Sequence, residues 1–421
     1  MKNGRIIDPV NSVDGQGDVL VKKGKIAAIT SSGKGKNTDA HVIDCTGKYI
    51  LPGFIDMHVH LREPGEEYKE TINSGARAAA AGGFTAVACM PNTMPVNDCG
   101  AITGFIMEKA TGAAARVYPV GAISTESKGQ TLAEYGEMQQ AGIVAVSDDG
   151  HPVSNSQLMR RSLEYAGNFN LPVISHSEDS NLVKGGAMNE GALSTALGLQ
   201  PIPGSAEEVM VYREISLAGL TKQPIHIAHV STAESVSLIR RAKEQGIKVT
   251  AETAPHYFSL TEKAVRGYNT NAKMNPPLRT AADVAAIKEG LADGTLDAIA
   301  TDHAPHSTLE KELEFDLAAN GIIGLETAIP LTLALVREGV IDLEKMVYLL
   351  SINPANILKV PGGSLTKGAV ADITVIDPEI TFTYTKKRVV SKSCNSPFLN
   401  KRLKGKAVLT ILGGKVSFSD L

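Results

Sequence analysis

The chain has 421 residues, of which 43% are hydrophobic, and its 42 Lys and Arg side chains nearly balance 45 Asp and Glu. A net charge of -3 excludes a nucleic-acid groove or an anionic membrane as the main partner, and 5% aromatic residues without Trp argue against stacking platforms for single strands. Four unpaired-looking cysteines, no apolar leader and no run of about 18 apolar residues predict a cytoplasmic protein without a membrane span.

Both ends of the chain carry short strand patterns. Two apolar runs flank a Lys23-Gly24 turn, and Ala40–Cys45 is a further predicted strand. Near the other end, Ala371–Pro378 and Ala407–Val416 are β-branched runs punctuated by turn residues. We therefore predict one small β-sandwich domain that is built from both chain ends, residues 1–50 and 358–421.

Residues 51–357 alternate apolar strands with Ala-rich helical stretches, which is typical of a parallel sheet. The candidate strands are Gly53–His58, Thr85–Met90, Val117–Ile123, Val144–Asp149, Val173–His176, Ile225–His229, Lys248–Glu252 and Ala298–Asp302. Eight strands close a (β/α)₈ barrel. We therefore predict an α/β fold, a TIM-like catalytic barrel that carries the small β-sandwich domain.

Several of these strands end in His or Asp, at the face where barrel enzymes place their chemistry. The strongest local pattern is His58-Val-His60, because the period of a strand turns both imidazoles to one side. His176, His229 and Asp302 end later strands. Imidazole nitrogen suits zinc, and a carboxylate can bridge two cations. Their convergence on one mouth predicts a metal site.

A longer set of motifs carries a family resemblance. The motifs are, in chain order, Phe54–Gly65, Met90–Thr93, Ser147–Gly150, Asn275–Arg279, Thr301–His306 and Gly321–Thr327. Together they resemble the amidohydrolase superfamily of metal-dependent hydrolases and, more narrowly, the class I dihydroorotases. The similarity spans almost the whole chain, since the β-rich ends match the composite domain of that family.

The resemblance implies a reversible, zinc-dependent cyclisation of N-carbamoyl-L-aspartate to L-dihydroorotate, the third step of de novo pyrimidine biosynthesis. It implies a metal-bound hydroxide as nucleophile, with Asp302 as catalytic acid and base and as a metal ligand. The other implied ligands are His58 and His60 for one zinc, His176 and His229 for the second, and Asp149 as the bridge, with Asp148 as the alternative register. One or two zinc ions per subunit fit this set, and two are favoured.

The resemblance also implies a set of substrate contacts. Arg62, Asn92 and His306 are expected to bind the free carboxylate, for which a guanidinium is suited. The further expected contacts are His60, Asn275 at the ring amide, and Asn320 and Gly321. This chain has Ala319-Asn320-Gly321 where the family usually has Pro-Phe-Gly, so a backbone contact is expected there rather than one from the Asn320 side chain.

The remaining histidines have structural interpretations. Strand alternation turns His303 away from the metals, and His226 is predicted to lie on the face opposite to His229. No role is predicted for His41, His151 or His256. The charged segment 309–315 is predicted to be a solvated helix face, with a lid or a subunit contact as the alternative.

Other functions stay open at this point. A sister cyclic amidase, either allantoinase or dihydropyrimidinase, would use the same metals, but usually carries a bridging lysine and lacks the trio of Arg62, Asn92 and His306. A non-catalytic dihydroorotase-like subunit of an aspartate transcarbamoylase complex would have lost metal ligands. We expect a small-molecule substrate; a homodimer and a transcarbamoylase partner are both open.

Overall fold

The computed structural model describes residues 1–31 and 41–421. In chain order its strands are β1 (Gly4–Asp8), β2 (Val13–Lys22), β3 (Lys25–Ser31), β4 (Tyr49–Pro52), β5 (Phe54–Val59), β6 (Phe84–Cys89), β7 (Arg116–Gly121), β8 (Ala145–Ser147), β9 (Val173–Ser175), β10 (Met188–Asn189), β11 (Pro201–Ile202), β12 (Ile225–Ile227), β13 (Val249–Thr253), β14 (Ala298–Ile299), β15 (Ile373–Thr383), β16 (Arg402–Leu412) and β17 (Lys415–Ser419). The helices are α1 (Ile72–Ala81), α2 (Gly100–Lys109), α3 (Tyr135–Ala141), α4 (Ser156–Asn168), α5 (Ala192–Leu197), α6 (Ser205–Thr221), α7 (Ala233–Glu244), α8 (Pro255–Ser259), α9 (Ala281–Asp293), α10 (Thr308–Lys311), α11 (Ala328–Arg337), α12 (Leu343–Val347) and α13 (Asn353–Leu358).

Strands from both chain ends form one seven-stranded sheet, in the order β17-β16-β15-β4-β1-β2-β3. The predicted Lys23-Gly24 turn joins β2 to β3, and both residues take the positive φ that a tight hairpin needs. The sheet curls over its own core, since the amide of Ile26 donates to the carbonyl of Ala369. The small domain from both ends is thereby confirmed, while its limits at residues 50 and 358 stay a prediction.

The predicted strand at Ala40–Cys45 is wrong in the part that the structure describes. Ala40 lies outside the described residues, and beyond it only Asp44 forms a β-bridge, to Lys2. The chain turns at Thr46, directly after this bridge, so the paired stretch is too short to become a strand.

Eight parallel strands form the second large sheet, in the order β14-β13-β12-β9-β8-β7-β6-β5. It closes into a barrel where Val59 bridges His303, and the amide of His60 donates to the carbonyl of His303 at 2.8 Å. All eight predicted strands are present. Several end two or three residues earlier than predicted, because the polar residues that follow leave the hydrogen-bond ladder and face the barrel mouth.

Local sequence explains the helices around the barrel. In α4 the side chain of Asn155 caps the first turn by accepting the amides of Gln157 and Leu158, and the apolar stripe of the helix packs inward. In α9, Thr280 and Asp283 form a reciprocal capping box. These caps set where each helix begins and therefore the length of the loop that precedes it.

Small and aliphatic side chains fill the barrel interior. Ile55, Met57, Ala145 and Ile174 are buried there, and Leu358 of α13 closes the end away from the site. The barrel is therefore a packed core whose polar residues gather at the opposite end. Within the described ranges, no helix is both long and apolar enough to cross a membrane.

Candidate metal centre

The first strand of the barrel supplies two buried imidazoles. His58 and His60 lie at the carboxyl end of β5, and their ring centroids are 5.4 Å apart. His60 Nε2 lies 3.0 Å from Asp302 Oδ1, and His58 Nε2 lies 3.3 Å from Asp149 Oδ1. The HxH pattern thus directs two nitrogens at two carboxylates that come from distant strands.

The ends of three further strands complete the cluster. Asp149 follows β8, and its Oδ1 lies 3.5 Å from His176 Nδ1 and 3.4 Å from His229 Nε2. His176 and His229 approach each other at 2.8 Å between ring nitrogens. All six predicted ligand residues therefore lie together, and the Asp149 carboxylate stands between the two pairs of histidines.

Backbone strain accompanies this convergence. His229, Asp302 and Arg62 have φ values of 35°, 49° and 61°, in a region that costs a residue with a side chain on the order of 1–3 kcal/mol. Such conformations persist where the surrounding contacts enforce them. Here they turn the three side chains out of the strand direction and into the barrel mouth.

Opposite charges dominate the electrostatics of the cluster. Burial by itself would raise the pKa of a carboxyl, but the histidines around Asp149 hold its pKa well below the usual range. Burial and the neighbouring histidines also oppose each other at Asp302, where the hydrogen bond to His60 is the largest effect that lowers the pKa. Both carboxyls are thus kept as anions although they are buried, which favours a bound cation.

The donor atoms fit a metal ion. Two groups each have their ligand atoms within 4.8 Å of one another, and these groups are His58, Asp149 and His229, and His58, His60 and Asp302. His58 Nε2 and Asp149 Oδ1 are buried without a hydrogen-bond partner among the described residues. Buried polar atoms rarely stay unpaired, so nitrogen and oxygen donors left free in this way indicate a cation site.

The two adjacent aspartates face different partners. Asp148 Oδ1 accepts the amides of Ile123 and Ser124 at 2.8 and 3.1 Å, and the hydroxyl of Ser124 donates to Oδ2. Only Asp149 lies among the histidines. The geometry therefore places Asp149, and not Asp148, among the predicted ligand residues.

The predicted carboxylate contacts lie beside this cluster. Arg62 is buried, and its guanidinium donates to the carbonyl of Pro305 and lies 3.3 Å from His306 Nε2. Asn92 Oδ1 lies 2.9 Å from His60 Nδ1. With a cation bound, Nε2 would be the ligand atom of His60, and Asn92 Oδ1, which can only accept, would hold the proton of the ring on Nδ1.

The other predicted contacts, Asn275, Asn320 and Gly321, differ in whether their polar groups already have hydrogen-bond partners. Asn275 Oδ1 is buried and has no hydrogen-bond partner among the described residues, so it is free to accept one. The carbonyl of Asn320 lies 2.7 Å from His306 Nε2, and the amide of Gly321 donates to the carbonyl of Lys273. A Cβ at Gly321 would meet that of Ala304 at 2.6 Å, so a side chain cannot be accommodated there.

The remaining histidines separate into surface and buried groups. His41 and His151 are exposed. His303 turns away from the cluster, where its Nδ1 accepts a backbone amide at 3.1 Å. His256 is buried, and burial lowers its pKa to about 4, so this ring is neutral at ordinary pH.

The prediction for the charged segment 309–315 is wrong in one important residue. Glu312 and Glu314 are exposed, as a solvated face requires. Lys311 is buried instead, and its ammonium donates to three backbone carbonyl groups. The interpretation failed because a lysine among acids is normally solvated, and only the folded loop offers it buried acceptors.

Sequence reasoning missed two supporting residues and misjudged a third. Glu252 accepts from His58 Nδ1 at 2.7 Å, and His226 Nε2 lies 3.3 Å from the other oxygen of Glu252. His226 is thus linked to the centre, contrary to the prediction. Glu252 ends an apolar strand like the other site residues, which could have revealed it. Asn395, whose Oδ1 accepts the amide of His306, lies in a late polar run without a comparable signal.

Comparisons with known proteins agree with this arrangement. A family model described as Dihydro-orotase-like matches residues 47–235. The chain is 57% identical over 421 residues to the dihydroorotase of Geobacter metallireducens and 58% identical over 418 residues to that of Desulfotalea psychrophila, with 99% of each chain covered. Among solved structures, L-hydantoinase (dihydropyrimidinase) from Arthrobacter aurescens superposes with a TM-score of 0.87 at 25% identity, covering 99% of this chain and 95% of that one.

The barrel, the sheet built from both chain ends and the buried histidine and aspartate cluster define a metal-dependent hydrolase of the amidohydrolase type. Sequence identity of 57–58% to the two dihydroorotases, over nearly the whole length, identifies the family within that class. The chain belongs to the dihydroorotase family.

Proposed function

We propose that the chain interconverts N-carbamoyl-L-aspartate and L-dihydroorotate, with water as the other product of ring closure. The observation that carries this proposal is the juxtaposition of a buried ligand cluster with a buried guanidinium, that of Arg62. A hydrolase for an uncharged cyclic amide needs the cluster alone. A substrate with a free carboxylate needs a cation beside it as well.

The reaction in the hydrolytic direction breaks one ring amide bond. The oxygen of water adds to the ring carbonyl carbon, the carbon–nitrogen bond breaks, and a proton moves from the water to the departing nitrogen. A divalent metal held by the six ligand residues would lower the pKa of water and polarise the carbonyl. We propose zinc, with two ions per subunit.

Asp302 is the residue we assign to the proton transfer. Its Oδ1 lies 3.0 Å from His60 Nε2, at the mouth of the barrel, and the carboxyl is an anion because the neighbouring histidines lower its pKa. An anionic carboxylate there can take the proton of the attacking water and pass it to the ring nitrogen. In ring closure it would move the proton in the opposite sense.

The substrate carboxylate is assigned to Arg62, Asn92 and His306. Burial lowers the pKa of the Arg62 guanidinium, but arginine does not lose its proton in proteins, so the group remains a cation. Burial and the nearby Arg62 lower the pKa of His306 to about 2, so its ring is neutral, and its one N–H, which faces the carbonyl of Asn320 at 2.7 Å in the absence of substrate, would turn to the carboxylate. Asn275, with a free carbonyl oxygen, is assigned to an N–H of the ring.

One substitution tests the catalytic assignment. We expect Asp302→Ala to abolish turnover of dihydroorotate while metal stays bound more weakly, because the histidines and Asp149 remain. Metal analysis alongside a dihydroorotate hydrolysis assay measures both quantities. Unchanged turnover would contradict the proton-transfer role. Comparable hydrolysis of allantoin or dihydrouracil by the unsubstituted enzyme would favour the sister cyclic amidases.

A second substitution tests substrate recognition. We expect Arg62→Met to raise the KM for dihydroorotate by about 10- to 150-fold, since a hydrogen bond to a charged group is worth about 1.5–3 kcal/mol. The KM for dihydrouracil, which lacks the carboxylate, should change little. Steady-state kinetics with both substrates measure the difference, and equal losses would rule out a carboxylate contact.

Three features of the biological setting belong to the same proposal. We propose a cytoplasmic enzyme, active as a homodimer or within an aspartate transcarbamoylase complex. Sedimentation of the purified chain, with and without a transcarbamoylase, distinguishes these states. A chain that binds the transcarbamoylase but neither metal nor dihydroorotate would be a scaffold subunit instead.

A further inference from the structure

A buried polar chain runs from His58 away from the barrel mouth and into the barrel floor. His58 Nδ1 lies 2.7 Å from Glu252 Oε1, and Glu252 Oε2 lies 3.3 Å from His226 Nε2. His226 Nδ1 in turn lies 2.8 Å from the hydroxyl of Thr250. The side chains of His58, Glu252 and His226 are each no more than 1% exposed, so water does not compete for the contacts among these three residues.

The pairing register of β12 and β13 brings His226, Thr250 and Glu252 together. His226 on β12 stands opposite Thr250 on the parallel strand β13. Glu252 lies two positions after Thr250, so both side chains point to the barrel interior, while Ala251 between them packs in the outer core. Glu252 therefore projects one layer nearer the mouth than His226 and meets His58 there.

The hydrogen positions in this chain follow from the donors and acceptors. A carboxylate can only accept, so His58 carries its proton on Nδ1, facing Glu252 Oε1. The hydroxyl of Thr250 can donate to Nδ1 of His226, which leaves the proton of His226 on Nε2, facing Glu252 Oε2. His226 Nε2 and Glu252 Oε2 then face each other at an ion-pair distance of 3.3 Å and have no hydrogen bond to any other described residue, and His58 Nε2 is left with a free lone pair beside the ligand cluster.

We propose that Glu252 and His226 are a positioning pair for the metal centre, which fixes the ring orientation and the tautomer of His58. The pair does not contact substrate and acts only through His58. This inference rests on the metal centre proposed above. Partners of this kind typically contribute about 10- to 100-fold in metal affinity.

The substitution Glu252→Gln is diagnostic because it keeps shape and removes one acceptor. The amide of Gln faces two imidazole N–H groups with only one oxygen, so one ring must meet an NH₂ group. If that ring is His58, its proton moves to Nε2 and blocks the nitrogen that binds metal. His226→Gln is a milder second variant, because it leaves the contact between Glu252 and His58 in place.

Glu326→Gln serves as the matched control. Glu326 is also a carboxylate inside the protein, where it accepts the backbone amides of Val390 and Ser391 at 3.0 and 3.2 Å, and it contacts none of the six ligand residues. The substitution makes the same Glu-to-Gln change at a carboxyl away from the ligand cluster, where the remaining oxygen can still accept both amides. It therefore separates a general loss of stability from a specific effect on metal binding.

The experiment measures cobalt affinity by competition with a chelator, the visible spectrum of the bound cobalt and the melting temperature of each metal-free protein. We expect Glu252→Gln to bind cobalt about 10- to 100-fold more weakly with an altered spectrum, His226→Gln to show a smaller loss, and Glu326→Gln to match the unsubstituted chain.

Unchanged cobalt affinity in both the Glu252 and His226 variants would overturn the positioning role, as would an equal loss in the Glu326 control. If the Glu252 variant does not fold, unchanged affinity in His226→Gln alone overturns the role of the pair. Failure of the unsubstituted chain to bind cobalt or zinc would overturn the metal centre itself, and this inference with it.

Discussion

Two carboxyl groups that are adjacent in the sequence, those of Asp148 and Asp149, have different partners and different roles. Asp148 and Asp149 follow the same strand, yet Asp148 accepts two backbone amides and a hydroxyl, while Asp149 faces four histidines. Burial raises the pKa of Asp148, whereas the histidines lower that of Asp149. The first carboxyl fixes the loop after β7 and the second offers its oxygens to a cation.

Paired substitutions test this division. We expect Asp149→Ala to lower the metal content below two equivalents, and Asp148→Ala to retain the metal but lose stability. Each buried donor left unsatisfied by the second change costs about 1–3 kcal/mol. Metal analysis and chemical denaturation of both variants measure the two effects. Retention of two equivalents by the Asp149 variant would shift the ligand assignment to Asp148.

At the scale of elements, the loop after β14 is held by a buried lysine. Lys311 Nζ lies 2.7 and 3.1 Å from the carbonyls of Ala319 and Gly321. Asn395 donates to the carbonyl of Gly321 as well, and its own oxygen accepts the amide of His306. The segment that carries the proposed carboxylate contact is thereby fixed before any substrate binds.

Replacement of Lys311 should make the loop after β14 less rigid and leave metal binding unchanged. We expect Lys311→Met to raise the KM for dihydroorotate, since carbonyls near His306 lose their donor, and to leave the metal content unchanged. The loss of stability should be about 1–3 kcal/mol for each unsatisfied carbonyl. Lys345→Met, at a partly exposed position on α12, is the control for removal of a charge. An unchanged KM would show that Lys311 has no part in positioning the loop.

The same lysine predicts a pH dependence. Burial and the nearby Lys273 lower the pKa of Lys311 from 10.5 to about 7. Between these values the unfolded chain binds a proton that the folded chain lacks, so this group makes stability rise with pH across that window. Thermal unfolding from pH 6 to 9 should show this rise in the unsubstituted chain relative to Lys311→Met. Parallel curves for the two proteins would contradict it.

At the scale of the whole molecule, the connection between β15 and β16 reaches back to the barrel mouth. Ser391 donates to Glu70, Ser393 donates to the carbonyl of Lys69, and Asn395 links Ala304 to Gly321. The barrel and the strands of the small domain are therefore joined by a buried polar segment next to the site.

Removal of the metal should lower the stability of the entire fold. The centre joins the ends of five barrel strands, β5, β8, β9, β12 and β14, and without a cation its buried carboxylates and imidazoles lose their common partner. A ligand present at 100 times its Kd stabilises the folded state by about 2.7 kcal/mol. We therefore expect chelation to lower the melting temperature, and added zinc to restore it. A melting temperature that does not change when chelator is added would argue against a metal centre formed by these residues.

The sequence by itself determined the strands of the barrel and the residues at their ends. Apolar runs and strand periodicity are local properties, so β5 and the pattern of His58 and His60 could be predicted from neighbouring residues alone. Convergence of His176, His229 and Asp302 followed, because the carboxyl ends of parallel strands meet at one face.

Only the tertiary structure decided which polar residues support that centre. Glu252 meets His58 across 194 residues of sequence, and Asn395 meets His306 across 89. Lys311 is buried because distant carbonyls accept its protons, while Asp148 turns to backbone amides that no local pattern reveals. Hydrogen bonds between remote segments depend on how close packing brings those segments together, and that information is not contained in any single stretch of the chain.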